Sequence, residues 1–172
     1  MVKPADTSKP EPIFKWDTIK EVGAHELKYQ DRTVAGKIFE VELSSGAPVR
    51  VWRADNGQEY FCHGLTFGGK DVPGGVLSPL GDHVMTILRG HYESIPEVHA
   101  KAGDILVWQG ASASDVVHSA ILTDAIVAKG TNQLDFLARL QTKNGILPET
   151  NMTLGLLIEN YYGESYKVYR TR

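Results

Sequence analysis

Apolar and polar positions alternate along the first third of the chain. "GKIFEVEL" (36–43) and "PVRVWR" (48–53) are two such runs, joined by "SSGA", and the pattern predicts a β-hairpin with a short glycine-containing loop. The period then changes. In "SPLGDHVMTILRGHY" (78–92), Leu80, Val84, Ile87, Leu88 and Tyr92 fall on one helical face, with Ser78 as the expected cap and Pro79 in the first turn. Beyond it, "GDILVW" (103–108), "DVVHSAILT" (115–123) and "AIVAKG" (125–130) are β-branched runs split by short polar turns, which predict an antiparallel meander. Leu134, Leu137 and Leu140 predict a helix stopped at Gly145. "NMTLGLLIENYYG" (151–163) predicts a further helical piece, and "SYKVYR" a closing strand. Strands and helices in separate runs indicate an α+β domain with helices packed on an antiparallel sheet.

Composition refines this picture in three ways. A chain of 172 residues suits one core, so residues 13–172 are expected to form a single domain behind a flexible tail, the proline-rich residues 1–12. The net charge of −3, with lysines and arginines scattered, excludes an obvious nucleic-acid or anionic-membrane surface. No apolar run is long enough to span a bilayer and the N-terminus lacks the apolar region of a secretory signal, so the expectation is a cytoplasmic product. Action elsewhere would require a specialised export route.

The single cysteine, Cys62, lies in "EYFCHGLTFGGKD" (59–71), beside a histidine and ahead of several glycines. One cysteine excludes an internal disulfide. A small buried hydrophobe is its bland reading. The other reading is a nucleophile, because a cysteine at a helix start with an imidazole nearby ionises more readily. "CHGLTF" is a plausible short helix start, whose backbone N–H groups would face the sulfur and a developing oxyanion. His25, His83, His91 and His99 lie in polar surroundings and are expected to be exposed, and His63, adjacent to Cys62, is expected to point away from it. His118 lies inside a β-run on the face shared by Val116, Ala120 and Leu122, where a rigid strand would hold it as a general base. Neither HExxH nor paired-cysteine spacing appears, so no metal or cofactor is expected; "GGKD" lacks the ending of a phosphate loop, and no GxSxG offers a serine instead.

A cysteine at a short helix start, an amphipathic helix, then "KAGDILVWQG" and "DVVHSAILTDAIVAKG" together resemble the papain-like cysteine peptidases of the NlpC and CHAP types. The likeness runs from Asn56 to Thr131. Gly64 matches the family's Asp-Cys-Ser-Gly pattern at the nucleophile, whereas Phe61 and His63 depart from it. The resemblance implies a papain-like fold, a Cys62–His118 pair, and a polar residue from the strand after His118 to orient the imidazole. Asn132 is the preferred candidate for that role, with Asp124 and Lys129 as alternatives. The Cys62 N–H would supply one oxyanion contact and Tyr60 a second.

These expectations amount to a cysteine peptidase or amidase acting on peptides, with bacterial peptidoglycan as the first substrate class. An antibacterial effector neutralised by an inhibitor protein fits that class. The same residues also suit a deamidase, a transglutaminase-like enzyme or an acyltransferase, and a non-catalytic binding module would leave Cys62 silent. "GGKDVPGG" (68–75) is expected to run over the surface beside the nucleophile, as a groove wall or a plain connector.

Overall fold

The computed structural model describes residues 13–67, 72, 74–112, 115–163 and 165–172; the expected tail at 1–12 lies outside them. The predicted hairpin is present as β4 (Gly36–Leu43) and β5 (Pro48–Ala54), paired from Gly36↔Ala54 to Glu42↔Pro48. β1 (Phe14–Ala24) flanks β4 with a register broken by irregularities, and a small hairpin, β2 (Leu27–Tyr29) with β3 (Arg32–Val34), projects between them in sequence.

Ser78 and Pro79 do not start the next helix. They form a two-residue strand, β6 (Ser78–Pro79), on the free edge of β5, so the first sheet runs β1-β4-β5-β6. The reason is local: the Ser78 hydroxyl is buried and accepts from the Phe61 N–H at 3.2 Å, and Leu80 N donates to Arg50 O. The helix, α2 (Val84–His91), begins only after a 3₁₀ turn, and it buries the predicted Val84, Ile87 and Leu88. A shorter helix, α1 (Cys62–Phe67), precedes it with every residue buried.

The second sheet has six antiparallel strands. In chain order they are β7 (Tyr92–Ile95), β8 (Ile105–Gln109), β9 (Val116–Asp124), β10 (Arg139–Thr142), β11 (Thr150–Thr153) and β12 (Tyr166–Thr171). In space they run β11-β10-β9-β8-β12-β7. The unbroken apolar run "ILVW" of β8 is explained by burial on both faces. On one face Ile105, Val107 and Val116 meet Phe67 of α1, α2 and the first sheet through Val41, Leu43, Val49 and Val51. On the other, Leu106, Trp108, Ala120, Leu122 and Leu140 lie under Leu134, Ala138, Leu154 and Leu157. The architecture is α+β, with helices packed on antiparallel sheets.

Two predicted elements are replaced. "AIVAKG" is not a strand; one isolated bridge, Val127↔Leu134, and a turn with Gly130 at φ 77° stand in its place. Residues 134–140 are not a helix. Asp135 turns the chain by taking the Leu137 N–H on its side chain at 2.8 Å and the Ala138 N–H on its carbonyl, a local competition that aspartate offers against helix. Leu134 and Leu140 are buried while Leu137 is 68% exposed. The last helical prediction survives in part: Thr153 caps α3 (Leu154–Leu157), which passes into a π-helical turn, Ile158–Tyr162.

The Gly-Asp turn into β8 has a structural role. Gly103 (φ 94°) lets the chain reverse, and the buried Asp104 accepts from Arg170 Nε and Nη2, each at 2.8 Å, and from the Lys101 N–H at 2.9 Å. Burial raises the carboxyl pKa, but the Arg170 and Lys101 hydrogen bonds outweigh it and hold the group below its ordinary range. Asp104→Ala is therefore expected to cost about 2 kcal/mol by stranding these donors, read as a lowered urea midpoint. Because the folded pKa is depressed, this contribution is complete above the ordinary carboxylate pKa and is lost as pH falls from there through the lower folded value.

No helix among the described residues is long and apolar enough to cross a membrane.

Candidate functional site

Cys62 opens α1, where Phe61 O accepts from Gly64 N and Leu65 N. Gly64 has to be glycine, since a Cβ there would lie 2.5 Å from Ser78 Oγ. α1 thus rests against β6 on one side and β9 on the other. The thiol is 6% exposed, its sulfur 3.7 Å from His63 Nδ1, and it is hydrogen-bonded by the backbone and side chain of Ser119.

His63 does not point away from Cys62, contrary to the sequence expectation. Its Nε2 lies 2.9 Å from the Val116 carbonyl, which only accepts, so Nε2 carries the proton and Nδ1 is the acceptor. Nδ1 in turn lies 2.8 Å from Ser119 Oγ. Ser119 Oγ also lies 2.9 Å from Thr66 Oγ1, so its one hydroxyl proton serves either His63 Nδ1 or Thr66, and Thr66 donates back to Cys62 O. The result is a closed polar network between α1 and β9, and it engages both nitrogens of His63.

His118 is buried one position before Ser119. On β9 successive side chains alternate, so Ser119 faces α1 while His118 faces the side of Ala120 and Leu122, as the sequence indicated. Val116 packs instead in the other core, because the register slips between Trp108 and Gln109. His118 Nε2 lies 2.8 Å from Thr142 Oγ1 on β10; the Tyr162 ring stacks on the imidazole at 3.8 Å and 8°, and Trp108 closes in at 5.4 Å. Among the described residues Nδ1 has no hydrogen-bond partner, and no hydrogen bond joins His118 to Cys62. The two are brought to the same segment of β9, with Ser119 as the link.

Burial sets the charges. It pushes the Cys62 thiol up to about 11, against weaker hydrogen bonds from Ser119 and the helix backbone. It pushes His63 down to about 4 and His118 down to about 3, the latter helped by the neighbouring His63. At rest the thiol and both imidazoles are uncharged, so the helix start does not deliver a preformed thiolate.

Asn132, the preferred orienting residue, is exposed in the turn between Val127 and Leu134, and the alternatives Asp124 and Lys129 are exposed as well; none bonds to His118. The strand neighbouring β9 is β10, not residues 125–130, and it presents Thr142. Tyr60 is occupied elsewhere: its hydroxyl donates to the Glu149 carboxylate and its ring lies under the Lys143 ammonium at 4.3 Å. Of "GGKDVPGG", residues 68–71 and 73 lie outside the described residues. Gly74 (φ 92°) and Gly75 (φ 118°) pack on the Arg53 side chain and on Gly57 respectively, so alanine at either would strain the backbone before it tested a groove.

His25 and His99 are exposed, as read, whereas His83 and His91 are half-buried. Among the described residues no group of three or more His, Cys, Asp or Glu side chains is placed to hold a metal ion. No protein-family model, curated protein or solved structure matches the chain, so what it does has to be argued from these residues.

Proposed function

We propose that the protein is a cysteine hydrolase of the papain-like kind, in which Cys62 attacks an amide carbonyl and His118 is the base. The observation that carries this reading is the division of labour within one imidazole: Nε2 is held by Thr142 and Nδ1 has no partner. A base needs one anchored and one working nitrogen; His63 Nε2 is anchored by Val116 O, and its Nδ1 is free to work only when Ser119 turns to Thr66. Sulfur bonds to the carbonyl carbon as the thiol proton passes to His118 Nδ1, a contact that has to form when substrate binds, since the two side chains do not meet at rest. The proton then goes to the leaving amine as the C–N bond breaks, and water hydrolyses the thioester to release acid and thiol. With both groups neutral at rest, proton transfer accompanies attack rather than preceding it.

A second reading exchanges the base. His63 Nδ1 is an acceptor 3.7 Å from the sulfur, and the Ser119 hydroxyl can turn toward Thr66 to release it.

Peptides from bacterial peptidoglycan are the substrate class that follows from the NlpC and CHAP resemblance. Purified peptidoglycan incubated with the wild-type protein should release fragments whose masses identify the cleaved amide. Cys62→Ala should abolish release, a loss of about 10⁴-fold or more. His118→Gln should reduce it by about 10²–10⁴-fold and His63→Gln far less; the reverse order selects His63 as base. Release by Cys62→Ala at the wild-type rate overturns the reading. Transfer of the acyl group to an added amine, in place of water, would instead identify a transglutaminase-like or acyltransferase reaction through the same thioester.

A further inference from the structure

The hydrogen bond to Thr142 fixes one nitrogen of His118 but not the plane of the ring, which could still rotate about the Nε2–Oγ1 line. Tyr162 removes that freedom. Its ring lies face to face with the imidazole at 3.8 Å and 8°, and the hydroxyl is tied back to Asn144 Oδ1 at 2.9 Å. Asn144 is buried and sits two residues beyond Thr142, so a single turn supplies both restraints. The π-helical geometry of Ile158–Tyr162 is what aims the tyrosine. Gly163 N bonds to Ile158 O, five residues back, and the extra residue in the turn rotates the side chain by roughly 100° relative to an α-helix. The segment is then fixed at its end, where Trp108 Nε1 donates to Gly163 O at 2.9 Å, and Trp108 itself touches His118.

We propose that Tyr162 is a positioning residue that clamps the plane of the His118 imidazole and shields it from water, with Asn144 as the latch on the phenol. This rests on the reading of His118 as the base, and it makes the clamp the device that keeps Nδ1 in one direction. It also favours an uncharged ring, because the clamp excludes the water that would solvate an imidazolium. Among the described residues, the titratable groups that act on the ring are His63 on α1 and the stacked Tyr162, and Tyr162 in turn faces Cys62, Tyr29 and Tyr161. Burial holds Tyr162, His63 and Cys62 uncharged near neutral pH, so none of these opposes the effect.

The test is an NMR titration of the intact protein with ¹³C-labelled histidine, the His118 resonance being assigned by its loss in His118→Gln. In the wild type the ring protons should be shifted upfield by the Tyr162 ring current, and should not titrate between about pH 5 and 8. Tyr162→Leu should move them to the position of an exposed histidine such as His25 and give them a midpoint nearer ~6.5. Tyr162→Phe, which keeps a ring but loses the latch, should move them part of the way and stands in if the leucine variant does not fold. A wild-type resonance without the upfield shift, or both variants matching the wild type, overturns the clamp. Hydrolysis measured on the same samples separates the two ideas: a shifted, silent wild-type resonance with no hydrolysis sinks the enzymatic reading and leaves the clamp standing.

Discussion

Acidification from pH 7 to about pH 4.5 is expected to lower the protein's stability steeply, ahead of the bulk of its carboxylate titration. The cause lies in His63 and His118, which the fold keeps neutral by burial, with pKa values pushed from 6.5 down to about 4 and about 3. The unfolded chain binds protons at these positions near the ordinary value, while the folded chain refuses them. A depressed histidine pKa therefore contributes nothing adverse above ~6.5 and becomes progressively destabilising as pH falls below it. Each histidine costs about 1.4 kcal/mol per pH unit in that window, so the pair removes about 5 kcal/mol by pH 4.5, comparable with the lower end of typical domain stability. Melting followed by circular dichroism should show a steep fall in Tm between pH 6.5 and 4.5. A flat profile across that window would mean that the two rings are solvated or paired in solution. Asp104 acts only below this range, since its carboxyl is held below the ordinary value.

Trp52→Ala is expected to cost about 3–5 kcal/mol, the usual range for truncating a fully buried tryptophan, and to damage the site as well. Trp52 is completely buried and its Nε1 donates to His25 O at 2.9 Å. It fills a small core apart from the two flanking the large sheet, with Val34, Ala54 and Ile146 and with Tyr29 and Phe61 packed around them. Phe61 is the residue before Cys62. Ile146 follows the turn that carries Thr142 and Asn144, and Tyr29 lies against Gly145 so closely that a Cβ there would meet its ring at 2.2 Å. The indole therefore packs between the residue that precedes the thiol and the turn that follows Thr142. Urea denaturation should show a lowered midpoint, and turnover per folded molecule should fall too. A stability loss with wild-type turnover would show that the small core does not locate the site.

Much of the architecture is written in local pattern. Partial alternation and β-branched content mark β4 and β5, the run "ILVW" marks a strand buried on both faces, and the helical spacing of Val84, Ile87 and Leu88 marks α2. The failures share a physical cause. Leu134, Leu137 and Leu140 have helical spacing, yet a turn centred on Asp135 places the first and last in the core and leaves the middle one in water. Asn132 follows the strand expected after β9, but which strand lies beside β9 is a non-local fact, and that strand is β10. Thr142 carried a faint signal, two positions from Leu140 on one face of a run ending at Gly145. His63 carried none, because its partners on β9 lie more than 50 residues away.

The order of strands in the large sheet has a consequence for how the chain assembles. β12 lies between β8 and β7, so Tyr92–Ile95 has no sheet partner until residues 166–171 arrive. Closing that pairing spans a loop of more than 70 positions, and such long-range contacts slow folding because their entropy is lost before any contact is gained. In the interval the ladder edge of β8, one of the most apolar strands in the protein, stands open to whatever extended segment is nearest. A second molecule's β12 fits that edge as well as the chain's own. Refolding at high protein concentration is thus where strand exchange and aggregation would begin, and rapid dilution is the condition that favours the native insertion.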